Sequence, residues 1–219
     1  MQKAVIFDVD GVLVDSYQPH FQGWRQMLSE LGEDFTEQTF RETFGRTNRD
    51  IFADLFTGKY SDAQVQQAAD RKEALYREII SADFPAIDGA VELIDALDGT
   101  GFLLAVGSSG PPANVQLTLQ CLGRAEVMAA CVTGADVTRG KPDPQVFQLA
   151  ARQLGVDPRS CLVVEDAPPG VAAAKAAGMS CIALTGTASR EELSDADWVV
   201  VSLREVGVQR VSALIEGGQ

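Results

Sequence analysis

Ala4-Val5-Ile6-Phe7-Asp8-Val9-Asp10-Gly11-Val12 decides how this chain is to be read. The apolar run predicts a buried strand, and two aspartates follow where it stops and a glycine turn begins. Successive strand side chains point to opposite faces, so Asp8 and Asp10 start on one side while Val9 turns into the core. Two carboxylates that close repel each other. A bound divalent cation, or a shared proton with one pKa raised, is the usual resolution. Taken alone, Asp-x-Asp-Gly also fits a solvated turn, so the rest of the chain has to decide.

Downstream of this turn, residues 15–84 are helical in pattern. Phe21, Trp24, Leu28 and Leu31 recur at spacings of three and four, and Gly32 supplies a stop. Further helices are predicted over 36–44, 49–56 and 61–80, the last with Ala68, Lys72, Leu75 and Ile79 on one face. Asp83-Phe84-Pro85-Ala86-Ile87-Asp88-Gly89 then ends the helical regime. From there helices and strands alternate: helices over 90–97, 114–122, 144–154 and 171–177, and strands over 103–106, 130–133, 161–164, 181–184 and 198–201. Such alternation predicts an α/β fold, a Rossmann-like parallel sheet covered on both faces. Residues 1–14 and 85–219 would form this core, and residues 15–84 an inserted small α-helical cap. A last amphipathic helix is expected over 203–215.

With 46% hydrophobic residues among 219, the chain can bury a sizeable core. Its 31 acidic and 18 basic residues leave a net charge of −13, which argues against sequence-independent binding to nucleic acid or anionic membrane. A phosphorylated substrate stays compatible with that sign, provided a cation and a few Lys or Arg are focused in one cleft. Cys121, Cys131, Cys161 and Cys181 have no C-x-x-C pairing and read as buried reduced thiols; His20 is the one histidine, so a Cys/His metal site is not expected. No long apolar segment precedes the first strand, and the expectation is a cytoplasmic protein. No coiled-coil heptads are present, and the expected state is a monomer.

In an open parallel sheet the carboxyl ends of the strands form the ligand crevice. Polar residues collect there: Asp8 and Asp10, the turn Gly107-Ser108-Ser109-Gly110, and Glu165-Asp166 after Leu162-Val163-Val164. Several carboxylates without His or Cys make a hard-oxygen donor set suited to Mg²⁺, which commonly shares its site with a phosphate. Lys141, in Gly140-Lys141-Pro142-Asp143-Pro144, precedes a helix and could neutralise a carboxylate and a phosphoryl oxygen. Hydroxyls and backbone N–H groups at 107–110, ahead of another helix, make an anion site.

Taken in order, these pieces resemble the haloacid dehalogenase-like hydrolase superfamily along essentially the whole chain. The first motif is matched by Asp8-Val9-Asp10-Gly11-Val12, the third by Lys141 and its neighbours, and the fourth by Glu165-Asp166-Ala167-Pro168-Pro169-Gly170. The second motif falls at Gly107-Ser108-Ser109; strand alignment puts Gly107 at the usual hydroxyl position, leaving Ser108 or Ser109 to supply the hydroxyl. The insert resembles the small helical cap of the beta-phosphoglucomutase and phosphoglycolate phosphatase branch. The resemblance implies that Asp8 is the nucleophile and forms an aspartyl phosphate, and that Asp10 is the general acid and then base. It further implies that Asp8, the Asp10 carbonyl, Asp166 and Glu165 hold Mg²⁺, while Lys141 and the serine stabilise the phosphoryl group.

Within that branch, His20 and Lys72 match a His and a cap Lys that couple lid closure to the acid/base. The mutase's Gly-x-x-Arg, which grips a second phosphate, is replaced by Gly45-Arg46-Thr47-Asn48-Arg49. Asn48 occupies the matched position and Arg49 comes one residue late, a swing of about 100° on a helix. Arg46 and Arg49 stay in reach of an anion. The expectation is therefore an Mg²⁺-dependent phosphatase for a small phosphorylated sugar or related metabolite, with a beta-phosphoglucomutase-type hexose-phosphate mutase as the alternative. A phosphoacceptor receiver domain gathers Asp, Lys and Mg²⁺ as well, but places its acceptor on a middle strand and lacks such an insert.

Overall fold

The computed structural model describes residues 2–43 and 47–217. The chain divides into two compact units, Met1–Asp15 with Pro85–Gln219, and Ser16–Phe84.

The larger unit is an α/β layer structure. Strands β1 (Ala4–Phe7), β2 (Leu103–Gly107), β3 (Met128–Val132), β4 (Cys161–Glu165), β5 (Ser180–Leu184) and β6 (Trp198–Val200) form one parallel sheet in the order β3-β2-β1-β4-β5-β6. β1 lies centrally, in register with Leu103–Val106 on one side and Cys161–Val164 on the other. All its side chains are buried, because helices cover both faces. Ala4 and Ile6 face one helical layer, packing with Val146, Phe147, Ala150, Val171 and Ala174. The helices of this unit are α5 (Ala90–Asp98), α6 (Pro112–Leu122), α7 (Gln145–Leu154), α8 (Pro168–Ala176) and α9 (Val208–Gly217).

Several boundaries differ from the sequence expectation, each for a local reason. α8 begins at Pro168 instead of 171, because proline is tolerated in a helix's first turn, where its missing N–H is not needed. The predicted helix over 203–215 breaks at Val206-Gly207, so Leu203–Glu205 is a single 3₁₀ turn capped by Ser202. Cys161 and Cys181 are buried, but Cys121 and Cys131 are exposed. Cys121 falls off the stripe Asn114, Val115, Thr118, Leu119, Leu122 that α6 buries, and on edge strand β3 strict alternation turns Ala129 and Cys131 outward.

Among the described residues of the smaller unit the regular elements are helices: α1 (Tyr17–Glu30), α2 (Glu37–Thr43), α3 (Asn48–Leu55) and α4 (Asp62–Ala82). Its core gathers Trp24, Met27, Leu28, Phe35, Phe40, Ile51, Phe52, Ala68 and Leu75. Helix α4 starts in a capping box, Ser61 accepting from the Gln64 N–H while the Gln64 side chain accepts from the Ser61 N–H. Its buried face carries Ala68, Lys72, Leu75, Tyr76 and Ile80, with Ile80 replacing the expected Ile79. Gly23 lets α1 approach α4 closely, since a Cβ there would stand 3.3 Å from the Lys72 carbonyl oxygen. The chain leaves the sheet unit after Asp15 and returns at Pro85, where the Asp15 N–H donates to the Pro85 carbonyl at 2.8 Å. No helix among the described residues is long and apolar enough to cross a membrane.

Candidate active site

Four chemistry-bearing residues meet at the carboxyl edge of the sheet because three elements end or turn there. Asp8 follows β1 directly, and its N–H extends the ladder to the Val164 carbonyl at 2.9 Å. Glu165 closes β4 and Asp166 follows it. Lys141 arrives from the loop ahead of α7. Its Nζ lies 2.9 Å from Asp8 Oδ1 and 2.5 Å from Glu165 Oε1, and 4.8 Å from the centroid of the Phe147 ring. Carboxylate oxygens of Asp8, Glu165 and Asp166 all lie within 4.8 Å of one another, and all three residues are buried.

Glu165 is the most tightly held. Its Oε2 accepts from the backbone N–H groups of Asp166 at 2.8 Å and Ala167 at 3.0 Å, while Oε1 takes the Lys141 ammonium. The carboxylate rests against bare backbone, for a Cβ on Gly170 would fall inside it. That is the physical reason glycine follows Pro168-Pro169 in the opening turn of α8. A parallel cradle holds Asp166: Gly11 stands at φ 73°, and a Cβ there would overlap the Asp166 carboxylate.

Electrostatics mark this cluster as charge-imbalanced. Burial pushes the Asp8 carboxyl up to about 7, opposed by Lys141 and reinforced by Glu165 and Asp10. Burial likewise raises Asp166, with Glu165 and Asp8 adding to it. Desolvation disfavours the Lys141 ammonium, but Asp8 and Glu165 outweigh it and hold the group above its ordinary value. Three carboxylates against one ammonium leave excess negative charge in a buried place. The donor set is all oxygen, convergent and anionic, which fits a hard divalent cation such as Mg²⁺.

The second-motif turn is explained by packing. A side chain on Gly107 would run into Phe147, whose Cδ1 would stand 2.9 Å from the new Cβ, so the hydroxyl has moved along the chain. Ser108 is 1% exposed and its Oγ accepts from the Gly110 N–H at 2.9 Å, which leaves its hydroxyl hydrogen free to donate elsewhere. A Cβ on Gly110 would lie 3.2 Å from Ser108 Oγ and 3.6 Å from Asp10 Oδ2, placing both groups around the same bare backbone. Asp10 is half-buried and its carboxylate stands outside the three-acid cluster. Ser109 is exposed.

The candidates in the helical unit form a separate group. Lys72 is 3% exposed, and its Nζ lies 2.8 Å from His20 Nδ1 and 2.8 Å from Glu73 Oε1. An ammonium has only donors, so His20 Nδ1 accepts and the ring proton sits on Nε2. The His20 ring stacks on Tyr76 with centroids 4.0 Å apart. Asn48 donates to Glu73 Oε1 at 2.9 Å and so completes this network. Arg49 is exposed and lies 3.6 Å from Asp62 Oδ1. Arg46 lies outside the described residues.

Sequence reasoning missed Gly11 and Gly170 as carboxylate cradles, Phe147 beneath Lys141, Glu73 and Thr187. Thr187, in the loop that follows β5, brings its hydroxyl beside the Asp166 carboxylate over the bare Cα of Gly11. Its signal was available in Thr185-Gly186-Thr187, a polar turn at the end of a fifth strand.

A family model described as haloacid dehalogenase-like hydrolase matches residues 2–178. The chain therefore belongs to the haloacid dehalogenase-like hydrolase family. Validoxylamine A 7'-phosphate phosphatase of Streptomyces hygroscopicus subsp. limoneus is 34% identical over 212 residues, covering 94% of this chain and 96% of that protein. Beta-phosphoglucomutase of Bacillus subtilis is 31% identical over 211 residues, covering 90% and 88% respectively. The crystal structure of the D10N mutant of CbbY from Rhodobacter sphaeroides in complex with xylulose-(1,5)bisphosphate matches with a TM-score of 0.88 at 25% identity, over 96% of this chain and 99% of that one.

Proposed function

We propose that this protein is a cytoplasmic phosphatase that hydrolyses a small phosphorylated sugar or related metabolite through an aspartyl phosphate on Asp8, with Mg²⁺ as cofactor. The observation that carries this reading is Lys141 set between Asp8 and Glu165, at 2.9 and 2.5 Å, beside Asp166. A carboxylate used as nucleophile must be ionised, yet burial pushes Asp8 up to about 7. Lys141 opposes that shift and keeps the oxygen aimed. Asp8, Asp166 and the Asp10 carbonyl, with Glu165 behind them, would hold the metal. When bound, Mg²⁺ supplies positive charge that offsets the anionic nucleophile and phosphate.

In the first step an Asp8 oxygen bonds to phosphorus and the ester P–O bond breaks. The departing oxygen takes a proton from Asp10. In the second step Asp10 takes a proton from water, whose oxygen bonds to phosphorus as the acyl-phosphate bond breaks. Inorganic phosphate leaves and Asp8 is restored. Lys141 and the Ser108 hydroxyl donate to the equatorial phosphoryl oxygens, where charge is spread in the transition state.

A mutase is the second reading, favoured by the similarity to beta-phosphoglucomutase and by the His20–Lys72 contact at 2.8 Å. In that case a sugar hydroxyl would replace water in the second step. Against it, Asn48 stands where the mutase has its phosphate-gripping Arg and is engaged by Glu73, while Arg49 pairs with Asp62. The test is phosphate release from a panel of small phosphate esters with Mg²⁺, run beside a coupled assay for conversion of beta-glucose 1-phosphate to glucose 6-phosphate. Free phosphate without isomerisation is expected; isomerisation with little free phosphate would reverse the assignment.

A further inference from the structure

The three clustered carboxylates are held by unequal means. Glu165 has Lys141 and two backbone N–H groups, and Asp8 has Lys141. Asp166 has neither: Lys141 acts on it only as a charge, and the side-chain group brought beside its carboxylate over Gly11 is the Thr187 hydroxyl. A Cβ added at Gly11 would overlap Asp166 Oδ2 and stand 2.9 Å from Thr187 Oγ1, so the oxygen and the hydroxyl share one slot over the bare Cα of Gly11. Gly11 sits at φ 73°, a conformation that costs a residue with a side chain, and the slot is therefore built into the first-motif turn. Thr187 belongs to no motif that carries the family resemblance.

We propose that Thr187 is a positioning residue for the cation: its hydroxyl, with the bare backbone of Gly11, fixes the Asp166 carboxylate in the orientation that shares a metal with Asp8. This rests on the reading of Asp8, Glu165 and Asp166 as an Mg²⁺ site. A ligating carboxylate is freer to rotate when a hydroxyl beside it is removed, and outer groups of this kind typically change metal affinity by about 10–100-fold. Thr187 is exposed, so water replaces part of what its hydroxyl does. The expected effect lies at the lower end, about tenfold.

The experiment is calorimetric titration of Mg²⁺ into substrate-free full-length protein, for wild type, Thr187→Val and Thr187→Ser. Thr187→Val keeps the shape and removes the donor, and should weaken Mg²⁺ binding about tenfold, with Thr187→Ser restoring it. In turnover the half-saturating Mg²⁺ concentration should rise to match, and added Mg²⁺ should recover the rate. Thr187→Ala, measured alongside by thermal melting and titration, covers the case in which the valine methyl disturbs the loop. Wild-type affinity in both the Val and Ala variants would overturn the role of Thr187. Failure of the wild type itself to bind Mg²⁺ would overturn the metal reading, and this inference with it.

Discussion

Among the described residues, each unit holds one lysine whose side chain is largely enclosed and paired with a glutamate, and the two differ in their charge balance. Lys141 lies between Asp8 and Glu165 above Phe147, with Asp166 close by. Lys72 lies between Glu73 and the neutral acceptor Nδ1 of His20, with its Nζ 5.7 Å from the Tyr76 ring centroid and 6.0 Å from that of Trp24. The helical unit's group balances one ammonium against one carboxylate and satisfies both. The sheet unit's group leaves excess negative charge. Balanced, a buried ion pair is a structural element; unbalanced, it is a place where a cation and a reacting group are wanted.

The comparison is broken most sharply at Asp8. Asp8→Asn should lower phosphate release on the order of 10⁴-fold or more while leaving the fold intact; steady-state rates together with circular dichroism check this. Lys141→Ala should cost about 10²–10³-fold in kcat, the scale of losing one positioned donor to the transition state. Near-normal turnover would make Lys141 an ordinary structural ion pair.

In the helical unit the prediction concerns stability. Lys72→Ala leaves part-buried Glu73 without its ammonium and should destabilise that unit by about 1–3 kcal/mol, read from chemical denaturation. Pairing it with Glu73→Gln should recover a large part of the loss. Metal should act on the other unit: Mg²⁺ at a hundredfold excess over its Kd adds about 2.7 kcal/mol, and the melting temperature should rise by roughly 5–10 °C at this chain length. The smallest effect is expected for Arg49→Ala, within about 0.5 kcal/mol and with unchanged KM, because its pair with Asp62 is solvent-exposed.

The pH signs of the two groups are opposite. Glu73 is held below the usual glutamate range: burial works against this, but the Lys72 ammonium and the Asn48 amide outweigh it. Its stabilisation is present above the unfolded value and lost as pH falls through the lowered folded one. Asp8 is pushed up to about 7, so in metal-free protein its ionisation costs stability as pH rises from the ordinary aspartate range through 7. Asp8→Asn in EDTA should therefore melt higher than wild type at pH 8, with the difference shrinking towards pH 4.

Much of this was legible in the sequence because strand ends are written in composition. The run Ala4–Phe7 followed by Asp8, and Leu162-Val163-Val164 followed by Glu165-Asp166, each join period and polarity in one stretch. Lys141 was found through its motif, since nothing in a loop sequence reveals which carboxylates it will meet. Glycine roles were not legible: Gly11 and Gly170 read as turn and breaker, and only their nearness to carboxylates from distant strands gives them meaning. Glu73 follows Lys72 directly, and helical spacing alone sets neighbouring residues on different faces. The exposed Cys121 and Cys131 were misread because apolar neighbours in sequence do not fix which face a side chain takes.

The most direct measurement is rapid quenching of the Mg²⁺-loaded protein during turnover of a phosphate ester, followed by mass mapping of the phosphoryl group. The expected result is one phosphoryl adduct on the peptide carrying Asp8, absent from Asp8→Asn. Rapid phosphate release with no adduct at Asp8, or an adduct unchanged in Asp8→Asn, would contradict the nucleophilic role of Asp8.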